Sequence, residues 1–273
     1  MYHLDSASAF TQGSYLTDLN NRLGLESEEE ITHSERLPFT VRLVQNEEDL
    51  SKAVKIRHAA YARHVPVLAS KLVNPETPDT DRGVVVLLAE SKVDGSPLGT
   101  MRIQTNHFQP LALEQSVELP EKLRMRRLAE ATRLGITDER VGRLVKTVLF
   151  KAFYLYCCRN KIEVMVVAGR APIDRQYERL QFEEVYPELG FIPLAHAGNM
   201  PHRVMALEVG TAEARWRESR HPLFQFVVKT HHQDIDVGPK MDFKSYDGLI
   251  GRIFPNMGRA PATVSADYSV TSM

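Results

Sequence analysis

Cysteine is scarce in this chain: 273 residues hold two, Cys157 and Cys158, side by side. Neighbouring cysteines bridge poorly, which excludes a disulfide scaffold and makes a reducing compartment the simplest reading. Both sit in an apolar helical pattern, where they read as packing rather than as nucleophiles. No stretch approaches about 18 consecutive apolar residues, so no membrane span is expected. The opening MYHLDSASAFTQGSYL lacks the basic start and apolar run of a signal peptide, and a cytoplasmic location is the resulting expectation. Excess charge of one sign is also missing: 34 Lys and Arg against 35 Asp and Glu leave a formal net charge of -1. No bulk pull toward nucleic acid or a membrane surface follows, and any binding charge has to be local. Nucleotide-loop signatures are lacking, with no Walker pattern and no Gly-x-Gly-x-x-Gly. His221, His231 and His232 lack metal-ligand spacing, so no metal is expected.

What is present is an ordinary globular composition, 43% hydrophobic and 25% charged. Residues 1–40 are polar, with an acidic stretch from Glu26 to Glu30, and read as a mobile leader or a short helix. Phe39 to Val44 reads as a first strand. Asn46 to Asp49 then caps a helix whose face carries Leu50, Val54, Arg57 and Tyr61. Residues 66–82 are rich in Pro and Asp and are expected to form a long surface loop. Strands follow at Val84 to Glu90, Leu98 to Gln104 and Arg127 to Ile136. Thr137-Asp138 is expected to cap a long helix from Val141 to Asn160. A buried strand at Val164 to Ala168, a helix from Asp174 to Leu189 and a last strand at Val204 to Val209 complete a domain over 41–210. Residues 211–273 are an extension with a helix near Glu213 to Arg220, an apolar patch at Leu223 to Val228, and a tail rich in Gly, Pro and Ser. This order fits an α/β (α+β) fold, a mixed, mainly antiparallel central sheet flanked by helices.

The segment from Arg127 to Leu155 is the informative one. A helix start exposes unpaired backbone N–H groups and positive dipole, which suits an anion. Arg140, Arg143 and Lys146 add charge there, and Gly142 allows close backbone approach. With nucleotide motifs absent, the single phosphate of a pantetheine arm suits this place better than a bound nucleotide. Solvated surface charge is the plain alternative. Upstream, Glu130-Ala-Thr-Arg133 puts charge into a strand expected to be central, which is costly unless paired or used. Alternation separates residues 130 and 132 from 131 and 133, and a bulge would bring Glu130 and Arg133 toward one cleft. A structural salt bridge is the alternative. Arg57 and Tyr61 share a helix face, Asp79 and Asp81 stand in the long loop, and Arg102 closes Gly99-Thr-Met-Arg102.

Taken together these residues resemble a known arrangement. Arg57-x-x-x-Tyr61, the acidic loop at 79–81, Gly99-Thr-Met-Arg102 and Glu130-Ala-Thr-Arg133 are similar in order and spacing to the acyl-homoserine-lactone synthases. Tyr177 to Leu180, Leu189-Gly-Phe191 and Met205-Ala-Leu207 are similar to the wider GNAT acyltransferase superfamily. The N-acyl amino acid synthase (FeeM-like) family combines both, over roughly residues 40–210. The lactone synthases space their acidic residues Asp-x-x-Asp, whereas this loop reads Asp79-x-Asp81, which favours a different amine acceptor.

The resemblance implies a GNAT-like sheet with a splayed strand pair, and transfer of a long-chain acyl group from acyl carrier protein to an amino acid. No permanently bound cofactor is implied; an acyl-phosphopantetheine thioester is the donor substrate. Glu130 would remove the amine proton, and a backbone N–H near Leu134, Gly135 and Ile136 would stabilise the oxyanion. Arg102 and Arg133 would hold the acceptor carboxylate or fix Glu130. Arg57, Tyr61, Asp79 and Asp81 would wall the acceptor site. The acyl tail would lie between the strands ending at Arg133 and Val167. Arg124, Arg126 and Arg127, with Arg140, Arg143, Lys146 and Lys151, would form a docking face for an acidic carrier protein, or an ordinary basic surface. The alternatives are a lactone synthase, a coenzyme A-dependent N-acetyltransferase, and a catalytically silent acyl-binding sensor module.

Overall fold

The computed structural model describes residues 33–239, so the acidic stretch at 26–30 and the tail from 240 onward lie outside the described residues. The chain divides into two compact units: residues 33–37 with 213–234, and residues 38–212 with 235–239. In the smaller unit, β1 (His33–Glu35) is a short strand. The larger unit runs through β2 (Phe39–Leu43), α1 (Glu47–Ala62), α2 (Pro66–Ala69), β3 (Val84–Ser91), β4 (Pro97–Thr105), α3 (Glu121–Arg124) and β5 (Leu128–Ile136). It continues through α4 (Gly142–Arg159), β6 (Val164–Gly169), α5 (Asp174–Arg179), β7 (Glu183–Glu184), β8 (Ile192–Leu194) and β9 (Met200–Glu208). Then come α6 (Val209–Glu218), β10 (Thr230–His232), which pairs in parallel with β1, and β11 (Ile235–Asp236).

The large sheet has the order β11-β2-β3-β4-β5-β6-β9-β7, with β8 added to β9. It is antiparallel except where β11 meets β2 and β5 meets β6. This is the mixed, mainly antiparallel sheet expected from the strand order. Helices cover both faces. Gly135 of β5 lets α1 in: a Cβ there would stand 2.9 Å from the Arg57 Cα. Gly99 of β4 faces the other side, where a Cβ would stand 2.6 Å from a methyl of Val145 on α4. The helix α4 buries Val145, Val148, Leu149, Ala152, Phe153 and Tyr156 along one stripe, the period of a helix lying on a sheet. None of the helices among the described residues is long and apolar enough to cross a membrane.

Local chemistry explains the ends. Asn46 caps α1, its side chain accepting from the Asp49 N–H at 2.9 Å, as its position predicts. The cap expected from Thr137-Asp138 does not form: α4 starts at Gly142, without a side-chain cap. The helix expected from Asp174 to Leu189 stops at Arg179 because Gln181 adopts φ +66, after which Glu183–Glu184 joins the sheet. The Pro-rich segment 66–82 is not a surface loop. It folds as α2 and a 3-10 turn (Thr77–Thr80), and it buries Leu68, Ala69, Leu72 and Asp79.

Candidate active site

Two irregularities in the centre of the sheet make the site. The first is a bulge. Arg102 of β4 pairs with Thr132 and Thr100 with Gly135, so Arg133 and Leu134 together oppose the single residue Met101. Arg133 takes φ +54, a conformation that side chains other than glycine rarely adopt. The second is a splay. The parallel ladder between β5 and β6 ends at Ala131 and Val167, and both strands run on without pairing to each other. A cavity of about 270 Å³ opens there. Its walls are Ala131 to Leu134 and Ile136 of β5, Ala168 to Arg170 at the end of β6, Tyr61 and the end of α1, Tyr177 of α5, and His196 and His202. The slot expected between the ends of β5 and β6 is thus a real space.

An ion-pair network buttresses the bulge from below. Arg57 is fully buried and donates to both oxygens of Asp79 at 2.8 Å. Arg133 donates to both oxygens of Glu76 at 2.6 Å. Arg102 reaches Glu76 at 3.2 Å and Asp79 at 3.3 Å, and Arg57 reaches Glu76 at 3.3 Å. Burial alone would raise both carboxyl groups; the surrounding guanidiniums outweigh it and hold Glu76 and Asp79 below the usual carboxylate range. Arg57, Asp79 and Arg102, expected at the acceptor site, are instead engaged with one another and with Arg133 and do not line the cavity, whereas Tyr61 and Arg133 do. Asp81 is outside this network and accepts from Gln109 at 3.3 Å. Its place is taken by Glu76, so the acidic pair is spaced three apart, and the departure expected from Asp79-x-Asp81 does not hold as an argument for a different acceptor. Glu76 accepts the partnership because Asp79 closes the 3-10 turn onto the Glu76 N–H at 2.8 Å.

Glu130 is 0% exposed and does not line the cavity. It sits behind it, accepting from the Leu113 N–H at 3.1 Å, with Oε1 lying 3.6 Å from His196 Nε2. His196, in the 3-10 turn Ala195–Ala197 after β8, does line the cavity. Glu130 and Arg133 thus do not point into one pocket; His196 stands between the buried acid and the space. Burial pushes the Glu130 carboxyl up to about 7. Burial, with Arg133, His202 and Arg102 nearby, pushes His196 down to about 4. Glu130 Oε1 and His196 Nδ1 have no hydrogen-bond partner. An orphaned buried polar atom costs about 1–3 kcal/mol, and each of these two neighbouring side chains carries one.

Leu134 and Ile136 line the cavity, and Gly135 is buried against α1. Arg140 and Arg143 are exposed at the start of α4, while Gly142 is buried against the Thr137 carbonyl. Neither arginine has an ion pair among the described residues. The rest of the expected basic face is engaged elsewhere: Arg126 pairs with Glu208, Arg127 with Glu163, Arg124 with Glu118, Lys146 lines the cavity and donates to Gln176, and Lys151 is buried. Arg170, at the cavity wall, has no ion-pair partner among the described residues, and no carboxylate stands in that wall. Cys157 is buried in the core, as packing requires.

Comparison with known proteins bears on the fold alone. No family model and no curated protein matches the chain. Among solved structures, FeeM, an N-acyl amino acid synthase from uncultured soil microbes, is similar with a TM-score of 0.52 and 19% identity, over 69% of this chain and 96% of that one. BjaI, a CoA-dependent acyl-homoserine lactone synthase, reaches 0.49 and 16% identity, over 79% of this chain and 98% of that one. An aminoglycoside N(6')acetyltransferase from Legionella pneumophila reaches 0.44 and 13% identity, over 66% and 96%. The likeness to FeeM shows the fold alone, a mixed and mainly antiparallel sheet flanked by helices.

Proposed function

We propose that this protein is an N-acyltransferase that moves a long-chain acyl group from the phosphopantetheine of acyl carrier protein to the amine of an amino acid, giving an N-acyl amino acid. The observation that carries the reading is the splay-centred cavity. Two diverging strands present backbone N–H and C=O groups that no longer serve each other, and such groups need partners. A pantetheine arm is an extended chain with two amides, so it can lie between them as a short third strand. The thioester would then stand beside the bulge, where backbone N–H groups of Arg133 to Ile136 can meet the oxygen that becomes negative in the tetrahedral intermediate. The likeness to FeeM in fold agrees with this.

The acceptor is read from charge. Arg102 and Arg133 are occupied by Glu76 and Asp79, so the acceptor carboxylate falls to the other cations of a wall without acids, Arg170 with Arg63 and Lys146. A cationic amine substrate would find no counter-charge there, whereas an amino acid carboxylate would gain a charge-assisted hydrogen bond. The carrier protein is read from Arg140 and Arg143, the two exposed and unpaired cations at the start of α4, next to cavity residues Ile136 and Lys146. An acidic carrier would be steered to them.

Steady-state kinetics with one acyl group on two donors tests both points. Reversing charge in an Arg140→Glu, Arg143→Glu double variant should raise KM for acyl carrier protein thioester at least about tenfold, by loss of two favourable contacts at roughly 1 kcal/mol each. It should leave kcat/KM for the same acyl group on free pantetheine unchanged. Equal losses on both donors would remove the carrier-docking role, and preference for short coenzyme A thioesters would replace the proposed donor.

A further inference from the structure

We infer that His196, and not Glu130, is the group that meets the acceptor amine and takes its proton, with Glu130 acting behind it as a positioning residue. The inference rests on the acyl-transfer reading above and specifies its chemistry. Glu130 does not line the cavity, and the imidazole of His196, which does, lies 3.6 Å from its carboxyl. Each of the pair keeps an unpartnered buried polar atom. The 3-10 turn Ala112–Gln115 aims the Leu113 N–H at Glu130, which fixes the carboxyl while leaving Oε1 turned to the histidine. His196 is carried on its own turn between β8 and β9, so two separate elements place the two groups.

The step balances without any co-reactant. The acceptor nitrogen attacks the thioester carbon with its unshared pair. The C–N bond forms and the C–S bond breaks. One N–H proton passes to His196 and from there to the pantetheine sulfur, leaving an amide and a thiol. An ionised Glu130 beside the ring stabilises the imidazolium while it exists, which is the part a buried carboxylate can play at this distance. The groups that face the pair are Arg102 of β4, Glu114 of the 3-10 turn, Arg133 of β5 and His202 of β9. Burial and the two arginines keep His196 neutral, hence able to accept a proton, well below pH 7. The acid limb of the rate then belongs to Glu130 and lies near pH 7.

Three variants are read in kcat/KM against pH, with circular dichroism and melting temperature as folding checks. His196→Ala should lose roughly 100- to 10,000-fold and recover part of that in added imidazole. Glu130→Gln should lose the acid limb while keeping a reduced, flat rate, and Glu130→Asp should restore a limb. A folded His196→Ala protein with more than a tenth of the wild-type rate, or an acid limb that persists in Glu130→Gln, would overturn the inference. The coupling is also read without turnover, from the His196 ring resonances. They should show an inflection near pH 7 in the wild type that Glu130→Gln removes; a ring insensitive to that substitution contradicts the positioning role. A wild type inert toward every thioester overturns the acyl-transfer reading itself, a result the ring titration keeps separate from failure of the pair.

Discussion

Asp79→Ala should destabilise the protein by about 3–5 kcal/mol, the usual cost of removing one partner from a buried ion pair. The side chain is fully buried and accepts both hydrogen bonds from Arg57, itself fully buried, and one from Arg102. Without it, Arg57 keeps a 3.3 Å contact to Glu76, which already serves Arg133. One carboxylate would then face three guanidiniums in a dry interior. The loss follows from leaving charge uncompensated, so it does not measure the net worth of the network, which an apolar replacement of similar volume could match. Asp79 also fixes the 3-10 turn through the Glu76 N–H, so the variant should loosen the brace under the β5 bulge as well. Urea unfolding at pH 7 reads the effect. Asp81→Ala, two residues away and outside the network, should stay within about 0.5 kcal/mol of wild type. Equal costs at the two positions would contradict the assignment of Asp79 to the buried cluster.

The second large effect is a dependence of stability on pH that the wild type conceals. Burial raises Glu130 from 4.5 to about 7, so between these values the folded protein holds a proton the unfolded chain has lost. Stability from this group therefore falls as pH rises, by about 3 kcal/mol in all. Burial lowers His196 from 6.5 to about 4, so between these values the unfolded chain holds the extra proton. Stability from this group rises with pH, again by about 3 kcal/mol. The windows overlap from pH 4.5 to 6.5, where the two slopes cancel. Glu130→Gln removes the falling slope, so relative to wild type its stability should climb across that window. His196→Gln should do the reverse. Urea midpoints of the three proteins at pH 4.5 and 6.5 check this, and parallel behaviour of the two variants would show that the two groups do not carry opposite shifts.

The strands were legible because the chain gives them unbroken apolar or alternating runs, as at Val84 to Ser91 and Val164 to Gly169. The charges at Glu130 and Arg133 mark the strand segment that bulges, but the bulge does not bring the two into one cleft as expected. Glu76 is not legible as a site residue because the segment around it, Asn-Pro-Glu-Thr-Pro-Asp, has the composition of an exposed turn. Its one signal was the three-residue spacing from Glu76 to Asp79, a capping pattern that also closes a 3-10 turn. His196 gave less. It stands alone between alanines, with no periodicity or motif, and its meeting with Glu130 depends on β8 folding back on β9, a pairing of only three residues. The break at Gln181 was hidden by a helical pattern in sequence that the sheet overrides by recruiting Glu183–Glu184. The partition of basic residues into paired and free ones also needed the fold, since Glu163 and Glu208 lie far from Arg126 and Arg127 in sequence.

The most direct measurement is mass spectrometry of lipid extracts from cells overproducing the intact protein, set against cells carrying the empty vector. The proposed transfer of an acyl group to an amino acid predicts new long-chain N-acyl amino acids in the first extract. Two extracts with the same lipid content, from cells shown to contain folded protein, would contradict it.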